Sequence, residues 1–410
     1  MKLKEQTGCL NVNSEIGKLN AVMLHRPGSE LERLTPEFLS ELLFDDIPWL
    51  KRIQEEHDKF AQSLEENGTK VYYVEVLLKE VLEDKDIREF FIYDLISYIM
   101  ASSETKKTIS KFLKDKKPEE IVNYAISGLS KKEFGDIKPN SLVDYVLNDA
   151  PFYINPLPNC YFMRDPAAVI GNGMMISSMK TPARQREAMI MKYIYKYSKV
   201  IDSSKAPLWH DYRSDYNIEG GDVLVLSKET VAIGISERTS PQAIEEISRN
   251  LFEGTNEIKE IIAIEIPKKR TFMHLDTVFT MIDKDKFLIY PGIKDKLAVY
   301  RISRGNSNNM AIKIEEDFIS LLEKTLKIDK VVLIESGGGD AISGAREQWN
   351  DSTNTLAISP GVVMTYNRNE ITNNTLREHG IKVIEIEGSE LVRGRGGPRC
   401  MSMPLNRDEI

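Results

Sequence analysis

The chain has 410 residues, of which 41% are hydrophobic and 29% charged, and its formal net charge is −8 at pH 7. This composition is typical of globular proteins, and the acidic balance disfavours nucleic acid or an anionic membrane as a partner and suits a cationic ligand. No apolar run is long enough to span a bilayer, and the N-terminus lacks the apolar core of a signal peptide. The cysteines, Cys9, Cys160 and Cys400, are odd in number and far apart, which disfavours a disulfide framework or a zinc pair. A cytoplasmic protein is therefore expected.

The first segment predicts a strand, a helix and a second strand. The strand covers 19–24 and ends in the turn signal HRPG. Residues 30–47 are loop-like, and the sequence LLFDDIPW lies at 42–49. The helix begins at Pro48 and ends at Asn-Gly 67–68, and the second strand covers 69–74.

Residues 75–148 differ from the rest because they are rich in Lys, Glu, Leu and Ile, contain a single proline, and show helical spacing. This pattern predicts an inserted helical domain. The remaining parts, 1–74 and 149–410, then form one α/β domain.

From residue 150 onward, a unit of hairpin, helix and strand recurs at an irregular spacing of about 50–65 residues. The predicted hairpin strands are 161–169 with 174–178, 223–226 with 231–235, 277–282 with 286–290, and 355–359 with 362–366. The predicted helices are 182–197, one from Ser240-Pro241, 315–325, and one ending at His379-Gly380, and the closing strands lie near Val200 and at 261–266, 330–334 and 381–386.

A fifth unit is predicted to be split between the two ends of the chain. Its first strand would be 401–405, and its remaining elements would be the strand, helix and strand of the first segment. The sequence thus predicts a five-fold pseudosymmetric α/β propeller with an inserted helical bundle. A doubly wound sheet is the alternative, but its strands alternate with single helices, so it fits the hairpins poorly.

Cys400 lies in the C-terminal stretch GRGGPRCMSMPL, where an irregular, glycine-rich loop becomes a strand. A buried, inert cysteine is the ordinary alternative. Arg395 and Arg399 flank the sulfur, however, and nearby positive charge favours a thiolate. The sequence therefore predicts a nucleophilic cysteine.

Polar residues recur at or just before the first strand of each unit, which in a propeller lines the centre. They are Asp165, Glu219 with Asp222, His274 with Asp276, and Cys400, while Asp340 lies ahead of the fourth unit. Singly, each has an ordinary explanation, because Asp before Pro is typical of turns, a strand His is usually a core residue, and EGGD can simply begin a hairpin. Their occurrence at matching positions predicts one convergent site.

The motifs FMRDP, EGGD, MHLD and GGPRCMSMPL resemble those of the arginine deiminase family, within the wider guanidine-modifying superfamily, and the resemblance covers essentially the whole chain. It implies a five-fold α/β propeller that hydrolyses L-arginine to L-citrulline and ammonia with no metal and no organic cofactor. It also implies that Cys400 is the nucleophile, that His274 is the general acid and base, and that Glu219 orients His274. Asp165 and Asp276 would hold the guanidinium.

The same resemblance implies a set of further substrate contacts. Arg184 and Arg238 would bind the substrate carboxylate, although an arginine beside a glutamate is often only a solvated ion pair. The other implied contacts are Asn159, Phe162, Asp222, Gly394, the loop residue Arg395 and, in the LLFDD loop, Leu43.

The same residues are also compatible with other functions. Agmatine deiminase, an amidinotransferase and a dimethylarginine hydrolase share the core, but agmatine lacks the carboxylate that the two arginines would bind. A catalytically silent binding protein would need no thiol, and a cysteine protease would not need two central acids. A homo-oligomer, either a dimer or a tetramer, is expected.

Overall fold

A computed structural model describes residues 10–255, 257–305 and 309–410. Cys9 and the rest of the segment 1–9, on which the N-terminal prediction depends, lie outside the described residues. The strands are β1 Leu19–Leu24, β2 Lys70–Tyr73, β3 Leu129–Ser130, β4 Phe152–Ile154, β5 Ala167–Ile170, β6 Gly173–Ile176, β7 Leu208–His210, β8 Val223–Ser227, β9 Thr230–Ile235, β10 Glu260–Glu265, β11 Phe279–Met281, β12 Lys286–Ile289, β13 Ala298–Arg304, β14 Met310–Glu315, β15 Val332–Glu335, β16 Leu356–Ser359, β17 Val362–Tyr366, β18 Lys382–Ile386 and β19 Met403–Arg407.

The individually predicted α-helices are present with small shifts of their ends, and α11 was not predicted. The helices are α1 Leu50–Glu66, α2 Val74–Val81, α3 Lys85–Ser97, α4 Ser103–Lys114, α5 Pro118–Ser127, α6 Lys131–Phe134, α7 Leu142–Val146, α8 Gln185–Tyr197, α9 Pro241–Gly254, α10 Phe318–Leu326, α11 Ala341–Gln348 and α12 Glu370–Glu378. None of these described helices is both long and apolar enough to cross a membrane.

Five sheets share one pattern, in which an antiparallel hairpin is extended by a strand parallel to its second member. Four of them run in chain order, as β5-β6-β7, β8-β9-β10, β11-β12-β15 and β16-β17-β18. The fifth joins the chain ends, because β19 pairs antiparallel with β1, and β1 pairs parallel with β2. The predicted split unit is therefore confirmed, and the fold is of the α/β class.

Local chemistry explains the helix that follows the second hairpin. Ser240 precedes α9, and its hydroxyl accepts the N–H of Ala243 at 3.2 Å, while Pro241 occupies the first turn. Ile244, Ile247 and Leu251 recur on one face and are buried, so α9 packs onto the sheet by its apolar stripe.

Residues 75–148 are helical, as predicted. Helices α2 to α7 fall within or at the edge of this segment, together with the short strand β3. Buried residues such as Phe91, Ile109 and Ile121 belong to the same apolar cluster as Met175 of β6. The helical segment therefore shares a core with the β5-β6-β7 sheet, and it contacts α8 directly, where the rings of Phe91 and Tyr193 meet edge to face with centroids 5.0 Å apart.

Two predictions about elements are wrong, and one pair of strands was not predicted. Residues 161–166 are not a strand, because the segment begins in a 3₁₀ helix, Pro158–Tyr161, and its backbone bonds to distant segments, with Arg164 N donating to Cys400 O at 3.0 Å. The strand predicted near Val200 is instead β7, Leu208–His210. The antiparallel pair β13-β14 was not predicted, and it extends one sheet to five strands.

Candidate active site

The polar residues predicted to converge occupy equivalent places just before the first strands of their sheets, and all are buried. Asp165 precedes β5, Glu219 and Asp222 precede β8, His274 and Asp276 precede β11, and Cys400 precedes β19. Asp340 does not join them, because it caps α11, where its carboxylate accepts Ile342 N and Ser343 N.

His274 lies between two carboxylates. Its Nε2 is 2.7 Å from Glu219 Oε2, and its Nδ1 is 3.6 Å from Asp165 Oδ1. Burial alone would lower the pKa of His274, but the charge of Asp165 and the hydrogen bond with Glu219 raise that pKa to about 9. At neutral pH, His274 is therefore an imidazolium that can donate a proton.

Glu219 is held as an anion by its surroundings. Burial opposes its ionisation, yet the hydrogen bond with His274 and the charge of Arg238 lower the pKa of Glu219 to about 2. The N–H of Lys180 also donates to Glu219 Oε1 at 3.1 Å. Glu219 thus has the position predicted for the residue that orients His274.

Asp165 shares a buried arginine with a second acid. Arg184 Nη1 donates to Asp165 Oδ2 at 2.5 Å, and Arg184 Nη2 donates to Glu187 Oε2 at 2.7 Å. Arg184 Nε also donates to Glu187, and its Nη2 lies 3.3 Å from each of the carbonyl oxygens of Asn159 and Phe162. Most donors of Arg184 are therefore engaged within the protein, and its contact with a substrate carboxylate stays a prediction.

Cys400 and Asp276 form the other half of the site. Cys400 Sγ is 3.7 Å from Asp276 Oδ2, and the same oxygen accepts Arg399 Nη1 at 2.6 Å. Arg399 Nε donates to Glu15 Oε2 at 3.0 Å, and its Nη2 donates to Val223 O at 2.8 Å. Arg399 thus holds the Asp276 carboxylate in position beside Cys400.

The prediction that flanking arginines favour a thiolate is wrong for this structure. Burial, together with the negative charges of Asp276, Asp165 and Asp351, raises the pKa of the Cys400 thiol well above its usual value, and Arg399 only partly opposes this. Arg399 is neutralised by its own two acids, which is why its charge contributes little. Cys400 is therefore a thiol in this structure.

The Cys400 backbone is fixed by a residue that the sequence did not single out. Asn354 Oδ1 accepts the N–H of Cys400 at 2.8 Å, and Asn354 Nδ2 donates to Asp276 O at 3.2 Å. One amide thus sets the distance between the nucleophile segment and the Asp276 segment. An asparagine in the loop before β16 carries no sequence pattern that would have revealed this role.

Asp222 links two segments of the site. Its carboxylate accepts Ser236 Oγ at 2.7 Å, Thr239 Oγ1 at 2.6 Å and Leu275 N at 2.8 Å. Burial raises the pKa of Asp222 to about 7 despite these bonds. The structure therefore uses Asp222 to position the chain beside His274 and Arg238, and direct contact with a substrate stays a prediction.

Two glycines are required by close approach. A Cβ on Gly221 would lie 2.7 Å from the His274 ring and 2.9 Å from Asp165 Oδ1. A Cβ on Gly394 would lie 2.1 Å from the Tyr161 hydroxyl and 2.9 Å from the ring of Phe162. Gly394 and Phe162, both predicted site residues, are therefore in contact with each other.

Arg238 has more spare donors than Arg184. Its Nη1 is 3.7 Å from Glu219 Oε1 and 3.4 Å from Thr181 Oγ1, and its buried Nε has no hydrogen-bond partner among the described residues. Asn159 reaches the opposite loop, where its Nδ2 donates to Leu42 O at 2.7 Å. Leu43, the next residue, is half-buried and has a φ of 64°.

Arg395 also has a positive φ, 65°, and its side chain lies on the indole of Trp349, with Cζ 3.6 Å from the ring centroid. Its Nη1 is 3.7 Å from Asp45 Oδ2. Asp351 is buried near it, and burial raises the pKa of Asp351 to about 7 while Arg395 opposes that shift. Sequence analysis did not identify Asp351 or Trp349.

The fold resembles that of enzymes that act on guanidino compounds. The N-terminal domain of ArgZ, an arginine dihydrolase of the cyanobacterial ornithine–ammonia cycle, matches with a TM-score of 0.54 at 13% identity, covering 94% of this chain and 97% of that domain. SxtG, an amidinotransferase of saxitoxin biosynthesis from Microseira wollei, matches with a TM-score of 0.52 at 15% identity, covering 98% of each chain. The fold is thus of the α/β class, and its solved neighbours include an amidinotransferase.

Similarity in amino-acid sequence identifies one enzyme family. The arginine deiminase family model matches residues 40–407. Arginine deiminase of Bacillus cereus (strain ATCC 10987 / NRS 248) is 48% identical over 406 residues, covering 98% of this chain and 99% of that protein. Arginine deiminase of Staphylococcus haemolyticus (strain JCSC1435) is 50% identical over 415 residues, with the same coverage. The chain belongs to the arginine deiminase family.

Proposed function

We propose that this chain hydrolyses free L-arginine to L-citrulline and ammonia, with Cys400 as the nucleophile. Family membership over nearly the whole length supports the reaction. The observation that carries the residue roles is the pairing of a buried thiol and a buried imidazolium with two carboxylates, Asp165 and Asp276. A guanidinium keeps its charge at any physiological pH, and this site supplies anions on both sides of one small volume.

The guanidinium is proposed to bind between Asp165 and Asp276. Each carboxylate has one oxygen fixed by a buried arginine, and neither Asp165 Oδ1 nor Asp276 Oδ1 has a hydrogen-bond partner among the described residues. A buried carboxylate oxygen without a donor is costly, and a guanidinium has five N–H groups to offer. Bound substrate would therefore complete the hydrogen bonding of both acids.

The first half of the reaction would use His274 as an acid. The positive charge of the substrate lowers the pKa of the Cys400 thiol, which loses its proton to solvent, and the thiolate attacks the guanidinium carbon. The C–N bond to the terminal nitrogen then breaks as the His274 imidazolium protonates that nitrogen, which leaves as ammonia. The product of this step is an S-alkylthiouronium on Cys400.

The second half would use the same residue as a base. Neutral His274 takes a proton from water as the oxygen attacks the thiouronium carbon. The C–S bond then breaks, the hydroxyl of the adduct loses its proton to solvent as the urea carbonyl of citrulline forms, and the thiolate of Cys400 is released and takes up a proton again. Glu219 stabilises the imidazolium that re-forms. No step requires a metal ion, and the described residues contain no cluster suited to hold one.

Selectivity for arginine over agmatine is proposed to rest on the substrate carboxylate and on Arg238. The two substrates share the guanidinium, so Cys400 and its neighbours cannot separate them strongly. Arg238 is buried, lies against Glu219 and has an unpartnered Nε. Arg184 is a weaker candidate because Asp165 and Glu187 already engage it.

The proposal is tested by assaying citrulline formation with arginine, agmatine and methylarginines in parallel. Turnover of arginine far above the others is expected, and it should vanish in Cys400→Ser while persisting in Cys160→Ala, a matched change at the other buried free cysteine. A preference for agmatine or a methylarginine would contradict the assignment of substrate.

We also propose that the five sheets are the blades of a closed propeller, with residues 75–148 as an inserted domain and with 1–74 and 149–410 forming the catalytic domain. The recurring sheet pattern and the joining of the chain ends through β19-β1-β2 support this arrangement. A reaction that depends on a free thiol favours a reducing compartment, so the cytoplasm is the proposed location.

A further inference from the structure

The outer strand of the five-stranded sheet leaves one backbone edge uncovered. β14 pairs with β13 in an unbroken antiparallel register, and among the described residues no other strand pairs with it. The N–H of Gly305 donates to Asn309 O at 2.7 Å, so the hydrogen-bonded pairs of this hairpin fall on odd-numbered residues of β14. The N–H and C=O groups of Ile312 and Ile314 therefore point towards the open edge.

The same two residues carry exposed apolar side chains. Ile312 is 54% exposed and Ile314 is 69% exposed, and both lie on one face because side chains alternate along a strand. Directly opposite Ile312 on β13, Ile302 is buried in the core. The face of the sheet that carries these isoleucines is thus buried in the core at Ile302 of β13 and exposed to solvent at β14. Exposed apolar edge strands without proline or a bulge are typical sites of pairing between chains.

We propose that β14 pairs antiparallel with β14 of a second copy of this chain, about a two-fold axis that passes through Ile314. The two sheets would then form one continuous sheet across the dimer. The exposed isoleucines of both copies would meet on one face, and the outward backbone groups of Ile312 and Ile314 would gain partners.

Charge selects this axis among the registers that the backbone allows. The outward groups require even-numbered residues to face even-numbered residues, so the axis passes through a residue and not between two residues. Within the middle of β14 the possible axes are at Ile312, Lys313 and Ile314. An axis at Glu315 would set two glutamates opposite each other. An axis at Lys313 sets two lysines opposite each other, and an axis at Ile312 sets Lys313 opposite Ala311. An axis at Ile314 sets Lys313 opposite the partner's Glu315 twice, and opposite charges are the favourable cross-strand pair.

The occupant is a second copy because the strand is complementary to itself. Within one chain, Lys313 Nζ already lies 2.9 Å from Glu315 Oε2, with the Lys313 side chain exposed and that of Glu315 partly covered. Two copies in the proposed register bring two lysines and two glutamates together with no excess of charge. The strands β13 and β14 are additions to one sheet, because the other four sheets of this pattern have three strands each.

Charge reversal gives the sharpest test, measured by sedimentation velocity across a concentration series. Lys313→Glu alone and Glu315→Lys alone each set like charges opposite each other, so each should dissociate at least about tenfold more readily than wild type. An equimolar mixture of the two variants, and the double variant, should associate like wild type. Variants that sediment as wild type when alone, or a mixture that fails to associate, would overturn the proposal.

Two controls separate this edge from other surfaces. Leu142→Lys, on the exposed helix α7, should leave the association unchanged, and dissociation by that change alone would assign the interface to the helical segment. In a Cys9→Ser background, Ile314→Cys should form an intermolecular disulfide on oxidation faster than Ile312→Cys. The reverse order would move the axis to Ile312 and contradict the proposed register. Citrulline formation by each variant reports that it is folded.

Discussion

In each half of the active site a buried arginine holds one oxygen of a carboxylate, but the two carboxylates act on different catalytic groups. On one side, Arg184 fixes one oxygen of Asp165, whose other oxygen faces His274; on the other side, Arg399 fixes one oxygen of Asp276, which also lies beside Cys400. The difference is in what each carboxylate does to its catalytic neighbour. Asp165 raises the pKa of His274 and keeps it charged, whereas Asp276 raises the pKa of Cys400 and keeps it neutral.

Without substrate, the site therefore contains a neutral thiol at Cys400 and a charged imidazolium at His274. A carboxylate favours protonation of whichever group it faces, so the same residue type stabilises the acid form of both catalytic groups. A cationic substrate placed between the carboxylates reverses this effect at the sulfur. The site is therefore expected to produce its nucleophile mainly when a guanidinium is bound.

The largest effect is expected from the sulfur itself. Cys400→Ser should reduce kcat for arginine by at least about 10⁴-fold, since a serine hydroxyl ionises far less readily beside two carboxylates. The measurement is citrulline formation by protein whose circular dichroism matches wild type. Substantial turnover by the folded variant would remove Cys400 from the mechanism.

The two supporting arginines should affect stability. Arg399→Ala leaves Glu15 and Asp276 buried without their cation, and Arg184→Ala does the same to Asp165 and Glu187. Each change should lower the free energy of unfolding by about 3–5 kcal/mol, because breaking a buried pair strands a charge. Urea denaturation at fixed protein concentration measures this. If Arg184→Ala unfolds like wild type but loses preference for arginine over agmatine, Arg184 binds substrate as the sequence predicted.

The two carboxylates should differ in their effect on the sulfur. Asp165→Asn and Asp276→Asn should each lower kcat/KM for arginine about 10- to 100-fold through loss of a charge-assisted contact with the guanidinium. Asp276→Asn should also lower the pKa of the Cys400 thiol more than Asp165→Asn does. The pH dependence of iodoacetamide alkylation, followed in a Cys9→Ser background, compares the two. Equal thiol pKa values in both variants would contradict the assigned asymmetry.

The smallest effect expected is a pH dependence of stability. The pKa of His274 is raised from 6.5 to about 9, so the stability from its charged form is fully present below pH 6.5 and is lost as the pH rises through about 9. The pKa of Glu219 is lowered to about 2, so its contribution is present above pH 4.5 and is lost as the pH falls through about 2. The free energy of unfolding should decline more between pH 6.5 and 9 in wild type than in His274→Gln. Parallel profiles would show that His274 is not charged in the folded state.

Sequence patterns predicted the sheets better than the contacts of single side chains. The hairpins, the helical segment and the split unit follow from periodicity and turn signals, which are local properties of the chain. The β13-β14 pair was missed because β14 is exposed along most of its length and carries charge, so its alternating residues do not mark a buried face. The roles of Arg184 and Arg399 also escaped, because a partner such as Glu15 lies far away in the sequence. The arginines next to Cys400 in the sequence therefore did not predict the electrostatic potential at its sulfur, which buried carboxylates dominate.

The central claim is that arginine is cleaved through a covalent bond to Cys400. The most direct test is to acid-quench the enzyme during turnover of arginine, digest it and analyse the peptides by mass spectrometry. The peptide containing Cys400 should carry the arginine skeleton less ammonia, and no other peptide should carry that adduct. Sustained citrulline formation with an unmodified Cys400 peptide, or with the adduct on another residue, would contradict the mechanism.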